Sequence, residues 1–324
     1  MKKLTLLITY VLLTFVATVV AFSLVMATAN SAYADSGDRD SDSDRSGEST
    51  KVNETRPAKA DGEVRISNLS GTVRIEGWDK NQVQVTGTLG PGVERLEITN
   101  DTGEVEIRVI LPRRGHYEDN DGDADLVIEV PKASRVEVNT VSADVEAHDV
   151  TGPQELQTVS GGITLESKSA DLSVKTVSGD VKVRGSAPKA HMTLGSISGE
   201  IEADDLDGEL DAETVSGDLR VGHGRFTRVK ASATSGDLRY EAGIQSGGNY
   251  DFHNVSGDIE LRVSRDASAR YDLSSFSGDI DNSFGPAPQS ASKYGPGKNL
   301  RFVNGKGDAE VNAETLSGEI HLQD

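Results

Sequence analysis

The sequence predicts an all-β protein in which one chain winds into a β-solenoid, or β-helix-like stack, of about ten short coils. Three observations point to this fold. Copies of the segment TVSGD at residues 176–180 recur along the chain, successive copies start 18 to 21 residues apart, and apolar and polar residues alternate around each copy. The central serines are Ser142, Ser160, Ser178, Ser198, Ser216, Ser235, Ser256 and Ser277. No helical 3.6-residue periodicity accompanies them, and a propeller blade would need about 40 residues per repeat.

Each copy predicts a strand with one apolar side. Residues two apart in a strand share a face, so Val177, Gly179 and Val181 are expected to point inward and Ser178 and Asp180 outward. The run before each copy alternates with the opposite parity, which predicts a corner or bulge between two strands. Short segments at 149–152 and 205–208 leave room for a third side of the coil.

The chain divides into three parts. Residues 1–34 are predicted to be an export signal, because two lysines precede a long apolar run and Ala32-Tyr33-Ala34 forms a cleavage site. An uncleaved membrane anchor is the alternative. Residues 35–61 are interpreted as a disordered acidic, Ser-rich leader. Residues 62–324 form the solenoid domain, with N-terminal strands at 62–135 and the repeat array at 136–324, interrupted by a loop at 282–305.

Charge and export restrict the partners. The formal net charge is −20, whereas nucleic-acid binding needs a basic surface, so nucleic acid is excluded. Divalent cations, basic peptides and uncharged glycans stay open. After signal cleavage the protein is expected in the periplasm, on the cell surface or in the medium of a bacterium, with no stable membrane insertion. The chain has no cysteine and therefore no disulfide.

One loop carries acidic residues at alternate positions. Asp119, Asp121, Asp123 and Asp125 resemble part of a calcium loop, but an EF-hand needs Gly at the sixth position and Glu at the twelfth, where this chain has Ala124 and Val130. A solvated loop is the favoured interpretation, and weak calcium binding is the alternative. No other cofactor is expected.

Stacking the copies predicts a row of serines and a row of acids on one outer edge. The acids are Asp144, Asp180, Glu200, Asp218, Asp237, Asp258 and Asp279. Aligned like charges repel, so the row needs a compensating gain. The favoured interpretation is that each Asp or Ser accepts a turn N–H, and the alternative is a cation bound between coils. The candidate interaction surface comprises Trp78, Asp180, Asp218, Asp237, Asp258 and Asp279, although Trp78 is favoured as a packing residue.

The sequence shows no convergent catalytic set. The histidines are isolated, and HExxH, GxSxG and phosphate-loop motifs are absent. We therefore expect a non-catalytic structural or interaction module that contacts an envelope component, either glycan or protein, or a second copy. The alternative is a calcium-assisted polysaccharide-degrading enzyme, either a lyase or a hydrolase, on a β-helix scaffold.

Several motifs together resemble a known family. They are Gly77-Trp78-Asp79, Val130-Pro131, the TVSGD copies and the closing segment TLSGEI at 315–320. This pattern resembles the bacterial "putative-adhesin" β-strand-repeat family, a domain of unknown function, over about residues 62–324. The resemblance implies a cell-envelope β-solenoid without known enzymatic activity, and it supplies no catalytic residue.

Overall fold

The computed structural model describes residues 48–101, 103–112, 122–291 and 296–324. The predicted export signal and most of the predicted leader lie outside these residues. Ser49–Asp324 forms one compact unit. Every regular element of the described residues is a β-strand, which confirms the all-β prediction. None of these residues belongs to a helix with the length and apolar character needed to cross a membrane.

The strands occupy the following residues. They are β1 Thr50–Pro57, β2 Glu63–Trp78, β3 Gln82–Leu89, β4 Arg95–Asp101, β5 Glu104–Ile110, β6 Asp123–Pro131, β7 Arg135–His148, β8 Gln154–Thr158, β9 Ile163–Glu166, β10 Asp171–Thr176, β11 Val181–Arg184, β12 Ala190–Ser196, β13 Ile201–Asp204, β14 Leu206–Ser216, β15 Leu219–Val221, β16 Gly224–Ser235, β17 Leu238–Tyr240, β18 Gly243–Ser256, β19 Ile259–Arg262, β20 Ala269–Ser277, β21 Ile280–Asn282, β22 Gln289–Ser290, β23 Lys298–Asn304, β24 Ala309–Ser317 and β25 Ile320–Gln323.

These strands build a β-solenoid-like stack with two long faces of parallel strands. The first face runs through β7, β8, β10, β12, β14, β16, β18, β24 and β20. The second face runs through the end of β7 and then β9, β11, β13, β15, β17, β19, β25 and β21. Each TVSGD-type copy forms the corner where the chain passes from the first face to the second. A short third side pairs residues 206–208 with 224–226.

At the corner, the prediction that Val177 belongs to the inner wall is wrong. Thr176 and Gly179 are buried, whereas Val177 is half-buried and Ser178 is exposed. The inward–outward alternation therefore shifts by one residue at the corner, because Val177 and Ser178 both point outward. Thr176, and not Val177, belongs to the inner wall. Gly179 is required because a Cβ atom there would lie 1.8 Å from the carbonyl oxygen of Gly161. Val181 and Val183 are buried as predicted.

At both ends, one coil lies out of sequence order. Strand β24 inserts between β18 and β20, so Ser317 pairs with both Ser256 and Ser277. The repeat order had placed Ser277 directly beside Ser256. At the other end, β2 lies between β7 on one side and β5 and β6 on the other. The order of coils in space therefore differs from their order in the chain at each end.

Antiparallel strands cover the two terminal coils, and they correct two predicted boundaries. Strand β1, inside the predicted leader, pairs with β3, and its Val52 packs against the core. Strands β22 and β23, inside the predicted loop 282–305, form a hairpin on β20, where the ring of Phe302 stacks on that of Tyr271 at 4.8 Å. An open edge of a parallel stack would present unpaired N–H and C=O groups. These groups are satisfied by β3 on β6 and β4 on β5 at one end, and by β23 on β20 at the other.

The core lies between the faces and changes composition along the stack. Between β7 and β14 it consists of aliphatic side chains such as Leu156, Val174 and Leu194. Near β16 to β18 it contains Phe226, Tyr240, Tyr250 and Phe252, with ring centroids 5.1 to 6.3 Å apart along the cluster. Register shifts in β14 and β16 accompany these larger side chains.

Candidate interaction surface

The outward residues that precede the corner serines form a column along the stack, and all but one of them are apolar. In stacking order, the corner column comprises Leu69, Val141, Val159, Val177, Ile197, Val215, Thr234, Val255, Leu316 and Phe276. Its ends are the most open, with 42% of Leu69, 36% of Leu316 and 53% of Phe276 exposed. Three of the four exposed large apolar side chains in the described part of the chain therefore lie in this column.

Buried polar side chains fix the backbone beneath the corner column. Thr176 Oγ1 accepts a hydrogen bond from the Gly179 N–H at 3.0 Å, and Thr158 Oγ1 accepts one from Gly161 at 3.1 Å. Asn254 Nδ2 donates to the Gly236 carbonyl oxygen at 2.8 Å. Each such bond satisfies a backbone group that the turn leaves unpaired. The corner is therefore a rigid element of the fold.

The acidic row runs beside the corner column and joins neighbouring coils. Asp180 Oδ1 accepts a hydrogen bond from the N–H of Glu200 in the next coil at 2.9 Å. Asp218 accepts one in the same way from Asp237 at 2.8 Å, and Asp258 accepts one from Glu319 at 2.8 Å. This geometry agrees with the structural interpretation of the acids. The serines do not share this role, because the buried Thr and Asn side chains bond the backbone of the corner in their place.

The charge of the acidic row is poorly compensated. Within the described residues, Asp144, Asp180, Glu200, Asp218, Asp237 and Asp258 form no ion pair, and only Asp279 has a cation nearby, Lys298 Nζ at 3.7 Å. The flat faces differ, because several of their acids are paired with arginines of adjacent coils. Examples are Arg74 with Glu146 at 2.8 Å and Arg262 with Glu241 at 2.7 Å. The corner therefore combines partly exposed apolar side chains with largely unneutralised negative charge.

The other predicted site residues lie away from the corner. Trp78 is half-buried at the end of β2, where its Nε1 donates to the Gln82 carbonyl oxygen at 2.8 Å and Lys80 Nζ lies 4.1 Å from the ring centroid. Asp119 and Asp121 lie outside the described residues. Asp123 and Asp125 belong to β6 rather than to a loop. Only the aspartates of the acidic row are therefore part of the corner.

Two groups of carboxylates with a histidine also occur, and the sequence did not predict them as groups. In one, His223 Nδ1 lies 3.2 Å from Asp204 Oδ1, with Asp205 adjacent. In the other, His321 lies between Asp281 at 3.4 Å and Glu319 at 3.5 Å. Each group offers three atoms that could ligate a metal ion. His223 already pairs with Asp204 of an adjacent coil, and His321 pairs with Asp281 of an adjacent coil and with Glu319 of its own coil.

Sequence reasoning missed the corner column because it placed Val177 in the wall. The signal was present in the parity change, since Thr176 and Val177 are adjacent and cannot both face inward in an extended strand. Thr176 can be the inward residue only if its buried hydroxyl group has a hydrogen-bond partner. The Gly179 N–H provides that partner.

Comparison with known proteins places the chain in a family and beside several bacterial structures. The family described as Toastrack DUF4097 matches residues 63–323. A Bacteroides fragilis structure named "putative adhesin" is 13% identical, with a TM-score of 0.40, and the match covers 84% of this chain and 97% of that one. A Parabacteroides distasonis structure named "putative lipid binding protein" is also 13% identical, with a TM-score of 0.37 and the same coverages.

A Clostridium sporogenes structure named "putative cell adhesion protein" is 11% identical, with a TM-score of 0.22, and the match covers 85% of this chain and 99% of that one. No curated protein matches the chain. At these identities and TM-scores, the structures transfer no role to this chain.

Proposed function

This chain belongs to the Toastrack DUF4097 family, and we propose that Ser49–Asp324 is a non-catalytic, adhesin-like interaction module of the bacterial cell envelope. The module binds its partner through the corner column and the acidic row. One observation carries the proposal: the outward side chains of the corner column are apolar in every coil but that of Thr234, and those at its ends are exposed, although the inward residues alone build the core. A contiguous apolar patch that is open to solvent marks a contact surface.

The energetics of the corner support a contact role. Exposed apolar area costs about 25 cal/mol per Å² relative to its buried state, and a partner that covers the column recovers this free energy. Aligned carboxylates repel one another, and a partner with positive charge relieves that repulsion. The outward apolar side chains are not needed to close the coils, because the buried threonines and glycines do so, and the acidic row needs only its acceptor oxygens, not its charge, to join neighbouring coils.

Export is a further part of the proposal. It rests on residues 1–34, where two lysines, a long apolar run and Ala32-Tyr33-Ala34 form the pattern of a cleaved signal. A module outside the cytoplasm meets envelope glycans and proteins, which are the partner classes that the acidic composition leaves open.

The experiment measures binding of fluorescently labelled Ser49–Asp324 to isolated cell envelopes of the producing bacterium. We expect saturable binding that unlabelled protein competes away. A triple variant, Val177→Thr, Val215→Thr and Val255→Thr, is expected to lose most of it. Threonine keeps the β-branched shape and already occupies this position at Thr234, so the variant should fold.

The matched control is Val303→Thr, because Val303 is 55% exposed but lies on β23, outside the corner column. Equal loss of binding in the control and the triple variant would contradict the proposal. The competing hypothesis is a calcium-assisted polysaccharide-degrading enzyme. It predicts product release from a polysaccharide panel in the presence of calcium, and such a product would also contradict the proposal.

A further inference from the structure

We propose that the partner segment is a cationic amphipathic helix, whose apolar stripe packs along the corner column while its Lys or Arg side chains face the acidic row. This inference rests on the proposed function and specifies the chemistry of the partner.

The spacing of the corner column suits a helix aligned with the stack. Neighbouring parallel strands lie about 4.8 Å apart, so the column presents one apolar side chain at about that interval. An α-helix rises about 5.4 Å per turn and presents one apolar residue per turn on a stripe. The mismatch accumulates to only about 2 Å over three turns. An extended strand repeats its side chains about every 6.8 Å on one face and would lose register after one coil.

Charge determines the type of helix and argues against a second copy. Asp180, Asp218 and Asp237 each use one carboxylate oxygen to accept a backbone N–H, which leaves the second oxygen available for a cation. Among the seven acids of the row, only Asp279 forms an ion pair in the described residues, and Glu319, at the same position of the inserted coil, lies 3.5 Å from His321. Two copies meeting corner to corner would align two such rows, in a chain of formal charge −20. The acidic row therefore attracts a basic partner and repels a second copy of the chain.

The rigid corner lowers the cost of binding. The backbone under the column is held by the Thr176 and Asn254 side-chain contacts and by ladder bonds such as Ser198 N–H to the Val177 carbonyl oxygen at 2.8 Å. Since the surface is already ordered, a partner does not have to order it. The half-buried valines also keep their positions relative to the carboxylates.

The experiment uses a fluorescein-labelled helical peptide of about 18 residues, or five turns, with a Leu stripe flanked by Lys. Its control is the same peptide with Glu in place of Lys. Binding to Ser49–Asp324 is measured by anisotropy at low ionic strength. We expect saturable binding of the Lys peptide that weakens as salt is added, and no binding of the Glu peptide.

Two variants and a charge-matched control locate the site. The first variant is Asp180→Asn, Asp218→Asn and Asp237→Asn, in which the amide oxygen still accepts the N–H of the next coil. The second is the Val→Thr triple variant. Each is expected to weaken binding by about tenfold, because each exposed charge or apolar contact contributes modestly. The control, Asp171→Asn, Glu202→Gln and Glu310→Gln, removes three charges elsewhere and should change affinity by less than about twofold.

Three results would overturn the inference: equal binding of the Glu peptide, an equal loss in the charge-matched control, or a dimer detected by sedimentation that depends on the corner column. If the Lys peptide fails to bind but envelope binding persists and depends on the column, the helix is wrong and the proposed function stands. Loss of both would reject the two together. Thermal unfolding of each variant identifies any that fails to fold, and single substitutions at Val215 and Asp218 then replace the triple variants.

Discussion

At the residue scale, the glycines of the corner are set by contacts between coils. Gly179 sits so close to the coil before it that an added Cβ atom would overlap the Gly161 carbonyl oxygen. We expect Gly179→Ala to reduce the free energy of unfolding by about 1–3 kcal/mol, as overpacking does. Ser178→Ala, at the exposed neighbouring position, should be nearly neutral. Urea unfolding of both variants tests this, and an equal effect would contradict the assigned facing of the two residues.

Removal of the hydroxyl group is expected to have opposite effects on stability at two buried tyrosines, Tyr250 and Tyr271. Tyr250 Oη donates to the Phe226 carbonyl oxygen and accepts from the Gln245 N–H, whereas Tyr271 Oη has no hydrogen-bond partner in the described residues. We expect Tyr250→Phe to destabilise by about 1–3 kcal/mol, because it leaves buried groups unpaired. Tyr271→Phe should be neutral or stabilising at pH 7. Thermal unfolding distinguishes them, and equal destabilisation would contradict the packing described.

Tyr271 also predicts a response to alkaline pH. Burial raises the pKa of Tyr271 to about 12, above its value in the unfolded chain. The neutral phenol is therefore favoured by folding, and its contribution to stability is present below about pH 10 and is lost as the pH rises towards about 12. Tyr271→Phe should flatten the fall in unfolding free energy across that range. An unchanged slope would show that the hydroxyl is accessible to solvent.

At the element scale, the corner separates the structural and electrostatic roles of the acidic row. Asn at positions 180, 218 and 237 keeps the acceptor for the next coil and removes repulsion, so stability should be maintained or rise slightly at low salt. Ala at the same positions should destabilise by about 1 kcal/mol per lost hydrogen bond. Urea unfolding at low and high salt provides the test. If Asn and Ala variants were equally stable, the hydrogen bonds from Glu200, Asp237 and Asp258 would not contribute.

At the corner, some features could be predicted from the sequence and one could not. Repeat period, strand alternation and the outward acids could all be predicted, because each follows from the two-residue period of a strand. The outward position of Val177 could not be predicted. Either Thr176 or Val177 could face inward, and the choice depends on the hydrogen bond between Thr176 and the Gly179 N–H, which the sequence does not show. Phe276 and Leu316 confirm the assignment, because large apolar side chains at the same position remain exposed.

At the scale of the whole molecule, the inserted coil is the feature that repeat spacing could not reveal. The copies share one short motif, so the repeat spacing does not show that β24 lies between β18 and β20 while the hairpin of β22 and β23 covers β20. The same ambiguity applies to β2 at the other end. Identical short motifs define the coil without fixing which coils are adjacent.

This arrangement predicts protection of β24, the last strand but one of the chain. Strand β24 is paired on both sides, by β18 and by β20, so its amides should exchange as slowly as those of β18. Native-state hydrogen exchange provides the measurement. Fast exchange of β24, like that of a fraying terminus, would contradict the inserted position.

The central claim is that this domain binds its partner through the corner. A photoreactive amino acid placed at Ser178, beside the corner column, tests it most directly, with Lys182 on the second face as the matched exposed position. After illumination on cell envelopes, we expect a discrete crosslinked product from position 178 that unlabelled protein suppresses, and little product from position 182. Equal crosslinking from both positions, or a product only from position 182, would contradict the claim.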